Sequence, residues 1–485
     1  MGQSRLLAWT GLAVITAAAL AHNLPRLAPG MFDWAEPGNV AAALAEDRGF
    51  SDPFDGKTGA TAWVSPLPAL VEASVFAALG VKTAAAARAM LVLSVLGLAA
   101  ANALLVRALA PFGAWMRGAA SAAFLAYCAL LPGGPLEVLS EAWLDILLSV
   151  ALLWAALEAR RSPGGWSAAA LIAASFLAPL ENAGLAVSAA LVVLALAWPL
   201  RRDSRALAVP VAAAAAAVIA VMAWSARNHA ALGRAIPLKS NFWFELSLAN
   251  VDSADGLPRM ETVLRRLPYF DVQEFNRYER LGEVRYVDAF REPALAALRA
   301  DPLHFAGNVM RRLGAAVVFC QREGGGQQTG FRFGAGDWAR LVTAGELITV
   351  GPTGGIWTRI DAPPLAEREK LHGLGLRDEA GILRDWSERR LDYDAQFRGP
   401  KGIAVGFATA GLPVAALLIS ALLLGGRLAP PAAWAALVAF GMLLPYVLVN
   451  HNDRHQLPLV AMQAVAIGAC AQALAGRIGG RSQGR

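Results

Sequence analysis

The chain has 485 residues, 56% hydrophobic and 16% charged, with a formal net charge of +6 and a mean hydropathy of +0.45. Soluble globular chains carry about 25% charged residues, so a deficit over this length excludes a soluble multidomain enzyme and a disordered chain. The three cysteines, Cys128, Cys320 and Cys470, are too few and too scattered for a disulfide framework or a zinc site.

The apolar residues fall in blocks, many long enough to cross a hydrocarbon core of about 30 Å, which takes about 20 helical residues. The first block, 6–22, follows Arg5. A cleavable signal peptide is the alternative there, but His22, Asn23 and Pro25 make no small-residue cleavage site, so the block reads as a first spanning helix. Further spans are expected at 84–110, 117–134, 141–158, 164–179, 183–200, 206–226, 402–425, 429–449 and 456–476, about ten in all. Residues 66–80 are apolar but short, and Pro66 and Pro68 open them. They read as an interfacial helix.

Arginines orient these spans. Arg5, Arg107 with Arg117, Arg160 with Arg161, Arg201 with Arg202 and Arg205, Arg427, and Arg477 with Arg481 flank alternate ends. The opposite short loops, 132–140 and 180–182, hold no Lys or Arg. By the positive-inside rule both termini are cytoplasmic, and segments 23–83, 227–401 and 450–455 face outward. The net charge is therefore a topology signal. Nucleic-acid binding would need a clustered basic surface, and none is present. The chain divides into an N-terminal membrane module (1–226, with the outer loop 23–83), an outer domain (227–401) and a C-terminal membrane module (402–485). In the outer domain 284–320 reads as helix punctuated by Pro293 and Pro302. The Gly-rich run 324–336 lacks the Lys-Ser/Thr of a phosphate-binding loop.

Acids beside apolar spans are costly and therefore informative. Asp33 and Glu36 follow the first span; Glu137, Glu141 and Asp145 surround the outer mouth of the fourth; Glu181 lies in the next outer turn. Glu141 and Asp145, four apart, share one helical face. The topology places all of them on one side. A structural alternative stands beside each group: Asp33-x-x-Glu36 is also the pattern of a capping box, and Glu141 with Asp145 suits a solvated helix start. The last outer turn, Asn450-His451-Asn452-Asp453-Arg454-His455-Gln456, is packed with polar and cationic groups. An arginine there could grip a phosphate through paired charge-assisted bonds or snorkel to headgroups. Arg227-Asn228-His229 closes the seventh span in a similar position. His451 and His455 are four apart without the context of a zinc motif.

Several stretches together carry a resemblance: Gly49-Phe50-Ser51-Asp52-Pro53-Phe54; Thr58-Gly59-Ala60-Thr61-Ala62-Trp63-Val64-Ser65-Pro66; Trp224-x-x-Arg227-Asn228 with Ile236-Pro237-Leu238-x-Ser240-Asn241; Leu281-Gly282-Glu283; and Arg454-His455-Gln456-Leu457-Pro458 before the final span. The pattern resembles the GT-C membrane glycosyltransferases, especially bacterial relatives of the protein O-mannosyltransferases and aminoarabinose transferases. The resemblance implies an all-α polytopic membrane protein with a periplasmic loop domain, in a bacterial inner membrane. It implies transfer of a sugar from a polyprenyl-phosphate-linked donor to a lipid, glycan or protein acceptor at the periplasmic face.

The resemblance also assigns roles. Asp33 or Glu36 would be the catalytic base, and Arg454, with Arg227 and His455, would meet the donor phosphate. Glu137, Glu141, Asp145, Asn228 and Asn241 are the expected substrate-binding residues. No metal ligand set is assigned, and a divalent metal is left open as a cofactor. Here the first-loop acids stand three apart rather than adjacent, and the last turn reads Asp453-Arg454-His455. The chemistry agrees with the residues: sugar transfer from phosphate needs a carboxylate for the acceptor's proton and cations for the phosphate charge that develops. A transporter or flippase, or a non-catalytic membrane assembly protein, are the alternatives. A transporter would want charges near mid-span and paired broken helices, whereas these acids sit at span ends.

Overall fold

The computed structural model describes residues 2–23, 35–54, 58–130, 135–136, 141–161, 165–201, 206–253, 256–258, 266–268, 272–317, 348–350, 356–358, 407–451 and 453–482. Asp33, Glu137 and the run 324–336 lie outside them, as do the side chains of Asp453 and Arg454.

Each expected span coincides with a helix. These are α1 (Gly2–Asn23), α4 (Ala84–Leu109), α5 (Ala114–Leu130), α6 (Ala142–Ala159), α7 (Gly165–Glu181), α8 (Ala183–Leu200), α9 (Ala208–Leu232), α15 (Leu412–Leu423), α16 (Pro430–Leu448) and α17 (Val460–Ser482). Between them lie α2 (Ala35–Ala45), α3 (Pro66–Leu79), α10 (Phe242–Asn250), α11 (Val272–Leu281), α12 (Glu283–Asp288), α13 (Arg291–Ala300) and α14 (Pro302–Val317). Two three-residue strands, Ile348–Val350 and Ile356–Thr358, pair antiparallel. Among the described residues six helices are long and apolar enough to cross a membrane: Ala84–Phe112, Ala142–Ala159, Ala183–Leu200, Ala208–Leu232, Pro430–Leu448 and His455–Ile478. Leu6–Ala21, Pro66–Leu79, Gly165–Glu181 and Leu412–Leu423 are apolar but shorter. The protein is an all-α polytopic membrane fold.

Local chemistry sets the boundaries. Thr83 caps α4, its hydroxyl accepting from the Ala86 N–H at 3.1 Å. Gly233, at φ +71°, ends α9 in the left-handed conformation, its N–H donating to His229 O at 2.9 Å. The turn expected over Pro179-Leu180-Glu181-Asn182 is tighter than the sequence suggests. Helix α7 runs through Pro179 to Glu181, and the break falls on extended Asn182, whose side chain caps α8 by accepting from Leu185 N–H at 2.8 Å.

One apolar core runs through the bundle, with Leu98, Leu105, Ile146, Leu152, Val192, Val438 and Val465 inside. Lipid tails are as apolar as leucine, so burial alone does not pull spans together; close packing of small residues and interhelical hydrogen bonds do. Helices α8 and α16 show both. A Cβ on Gly184 would lie 2.5 Å from Met442 O, and one on Gly441 would lie 2.5 Å from Ser188 Cα. The Ser188 hydroxyl donates to Val438 O at 2.8 Å. Helices α5 and α17 repeat the device at Gly468, where a Cβ would meet Met116 O at 2.5 Å.

The contacts separate two faces. At one, Arg107 covers the Trp154 ring and Arg161 the Phe112 ring. Gln472 Oε1 accepts from Met116 N–H at 3.2 Å, and Arg477 donates to Leu423 O at 2.9 Å. This face gathers the arginine-bearing helix ends. At the opposite face, Tyr127 OH donates to Ala408 O at 2.9 Å, and the Asn182 side chain donates to Asp145. Helices α10 to α14 stand at that opposite face.

There the first loop and the later helices share an aromatic core of Phe50, Phe54, Trp63, Phe244, Tyr278 and Tyr286. The rings meet edge to face, as with Phe54 and Tyr278 at 4.8 Å, the geometry the ring quadrupoles favour. Inside this core Glu283 is buried. Its carboxylate accepts from Ala62 N–H and Tyr278 OH, each at 2.7 Å, and from the Thr61 hydroxyl. Burial raises its pKa, and the bonds from Thr61, Tyr278 and Ala62 pull it back.

Two stability tests follow from this packing. Gly441→Ala and Gly184→Ala lower the thermal midpoint in detergent, because overpacking typically costs about 1–3 kcal/mol. Gly118→Ala, with open space around its Cβ, does not lower it. Glu283→Ala destabilises by about 1–3 kcal/mol for each buried donor it strands, and Glu283→Gln by less; thermal melts of the three proteins check the order.

Candidate functional site

The polar groups of the opposite face form two linked centres. The first lies where α6, α7 and α8 begin or end. Asp145, in the first turn of α6, is half-buried and takes the Asn182 side chain. Glu181, the last residue of α7, is 3% exposed, and its Oε2 has no hydrogen-bond partner. Glu141, just before α6, and Lys239 act electrostatically on both carboxylates. One lysine against three carboxylates leaves a net negative centre when all are ionised. Such a centre attracts cations and hydrogen-bond donors such as sugar hydroxyls, and it repels phosphate.

The second centre surrounds the last turn between spans. The Glu245 carboxylate accepts from Asn241 Nδ2 at 3.1 Å and from Asn450 Nδ2. Arg312, fully buried on α14, donates to Val447 O at 2.7 Å, Leu448 O at 3.2 Å, Gly256 O at 3.1 Å and Asn250 Oδ1 at 3.3 Å. Its guanidinium thus satisfies the carbonyls that end α16, where the helix dipole favours a cation. Gln456 donates to Ala315 O and Ala316 O at 3.1 and 2.8 Å, tying the turn to the end of α14. His455 stacks on Tyr446 at 3.7 Å between ring centroids and lies 5.8 Å from the ring of His451. His451 is buried with Nδ1 unpaired. Burial and the Arg312 charge lower its pKa to about 4, so the imidazole is neutral at pH 7.

A short strap joins the centres. Lys239 belongs to the first and Asn241 to the second, and Ser240 N–H between them donates to Ala62 O at 2.9 Å. Ala62 is in turn held by Glu283. Arg227 adds a second hold on the same loop, donating to Thr61 O at 2.5 Å and Phe50 O at 2.6 Å, with the Phe50 and Trp224 rings against its face.

The expected site residues therefore divide. Glu141 and Asp145 come together, joined by Glu181 and Lys239. Asn241 and His455 belong to the second centre. Arg227 and Asn228 grip backbone: Asn228 is fully buried and donates to Ile236 O at 2.8 Å. Glu36 is half-buried in the first turn of α2. Asp33, Glu137 and the Arg454 side chain fall outside the described residues, so the convergence of first-loop acids with Arg454 does not enter the geometry. Lys239, Glu245, Glu283 and Arg312 carry no catalytic motif. Glu245 is a charge flanked by Phe244 and Leu246, Arg312 sits on a largely apolar helix, and Lys239 and Glu283 lie within or at the end of a motif stretch. Among the described residues no group of three or more His, Cys, Asp or Glu is placed to hold a metal ion.

The buried histidine predicts a pH dependence. The unfolded chain takes up a proton near pH 6.5, and the folded chain takes it up near pH 4. The unfolded state binds more protons in that window, so stability falls as pH drops through it. His451→Gln flattens this fall. Thermal midpoints measured from pH 7 to 4.5 for both proteins check it.

No family model matches the sequence, and no curated protein matches it. Among solved structures, the crystal structure of ArnT from Cupriavidus metallidurans bound to undecaprenyl phosphate is similar over 98% of this chain and 78% of that one, with 14% identity and a TM-score of 0.35. An overlap of that quality carries no inference about function.

Proposed function

We propose that the protein is a membrane glycosyltransferase that moves a sugar from a polyprenyl-phosphate-linked donor to an acceptor at the outer face of a bacterial inner membrane. The observation that supports this most is the strap Lys239-Ser240-Asn241, which links a carboxylate–lysine centre through Asn241 and Glu245 to Asn450 of the last turn. The stretches that carry the sequence resemblance, 49–54, 58–66, 224–241 and 281–283, supply residues to the aromatic core and to the hydrogen bonds holding that strap. Among the described residues no acid stands in the middle of a helix long and apolar enough to span, which suits an interfacial reaction better than a transport path.

In this reading an acceptor hydroxyl attacks the anomeric carbon and the carbon–oxygen bond to phosphate breaks. The hydroxyl proton goes to Asp33 or Glu36, and polyprenyl phosphate leaves. The negative centre of Glu141, Asp145 and Glu181 faces sugar hydroxyls. The cationic last turn, with Arg454 and His455, faces the phosphate, where charge-assisted bonds stabilise the leaving group. Arg227 serves the phosphate indirectly, since its guanidinium is committed to the carbonyls of Thr61 and Phe50.

General bases contribute about 10²–10⁴-fold, so Asp33→Asn or Glu36→Gln should lower transfer by that factor while the protein stays in the membrane. Transfer from a radiolabelled polyprenyl-phosphate sugar, with purified protein in liposomes, measures it. Full activity in both variants would sink the base assignment. Absence of transfer from every polyprenyl-linked donor tried with the wild-type chain would overturn the enzyme reading.

A further inference from the structure

The protein covers one face of helix α14 and leaves an apolar stripe on the other. At about 100° per residue, Asn308, Arg312, Ala315 and Ala316 fall on one side and are buried: Arg312 against the end of α16, Ala315 and Ala316 against the last turn, and Asn308 against Asn250 and Gly256. On the opposite side Leu303, Met310 and Leu313 form a stripe that is 84%, 62% and 38% exposed. His304 and Arg311, seven apart and both exposed, line one border of that stripe, and α14 carries no acidic residue. Where the helix sits decides what covers the stripe. Arg312 holds the last carbonyls of α16, a helix long and apolar enough to span, and Gln456, just before the final span, holds the last turn of α14. The helix therefore lies at the level where two spans leave the bilayer. An apolar stripe bordered by an arginine and an imidazole at that level is the pattern of an interfacial helix on an anionic leaflet.

We propose that α14 is a lipid-binding element: its Leu303–Met310–Leu313 stripe lies among acyl chains of the adjoining leaflet, and Arg311 with His304 binds anionic phospholipid headgroups. The surface stands independently of the transfer reaction. It gives the outer helices a second attachment to the membrane beside the spans, and it makes the seating of Arg312 under the last turn sensitive to lipid charge.

The test uses the full chain in nanodiscs, with Cys128, Cys320 and Cys470 replaced by alanine and a fluorophore placed at Leu303→Cys, Met310→Cys or, as control, the exposed Arg299→Cys. Brominated acyl chains quench the labels at 303 and 310 and leave the label at 299 bright. At equal mole fraction, bromines on phosphatidylglycerol quench more than bromines on phosphatidylcholine, and the double change His304→Gln with Arg311→Gln removes that difference. Labels at 303 and 310 that respond to a water-soluble quencher instead would overturn the proposal. So would labels shielded from both quenchers, as a second copy or another part of the chain would cause. Equal quenching by the two brominated lipids in the unaltered helix would overturn the anionic preference.

Discussion

The buried carboxylate of Glu283 organises the part of the molecule built from the first loop and helices α10 to α14. A carboxylate removed from water is strongly disfavoured unless donors replace its hydration. Here Thr61, Ala62 and Tyr278 supply them, more than 200 residues apart in sequence for the first two. That requirement pins the loop between α2 and α3 to the helices that follow α9. Arg227 holds the carbonyls of the same loop from the end of α9, so the loop is fixed through both its acceptors and its donors. The strap from Lys239 to Asn241 inherits its position from Ala62, and both polar centres inherit theirs from the strap.

Beneath that cap, geometry is set by absence of side chains. Gly184, Ser188 and Gly441 let α8 and α16 approach until their backbones touch. This brings the start of α8, with its cap Asn182 and the adjoining Glu181, level with the end of α16, where Asn450 and His451 begin the last turn. The acid centre and the last turn lie at the same end of the bundle because two small-residue contacts hold their helices in register. Arg312 completes the arrangement, bonding the terminal carbonyls of α16 from helix α14. Its charge is met by carbonyl dipoles and the Phe305 ring and depends on that seating.

The helices were legible as apolar blocks because hydropathy is a local signal, and among the described residues six of the ten expected spans coincide with helices long and apolar enough to cross a membrane. Each expected span coincides with a helix, with displaced ends where capping decides: Asn182 narrowed a turn expected over four residues, and α9 ran on to Gly233. The pairing of Glu141 with Asp145 was legible from helical spacing. Lys239 joining them was not, because a lysine in an irregular strap has no periodicity to read. Arg227 and Asn228 stood out as a motif, yet the motif does not distinguish an arginine that meets a ligand from one that meets carbonyls; only the backbone of Phe50 and Thr61 nearby reveals the second.

Composition, block length and the placement of arginines by themselves determined that this is a polytopic helical membrane protein, and the quoted motifs marked which segments belong to one face. These properties depend on transfer free energies of short windows, which sequence states directly. Which charges become partners was decided by the tertiary structure alone. Glu283 with Thr61, Arg312 with Val447, and Glu245 with Asn450 are pairs between residues remote in the chain. Burial supplies the reason each must form, and only the packed helices supply the proximity that lets it.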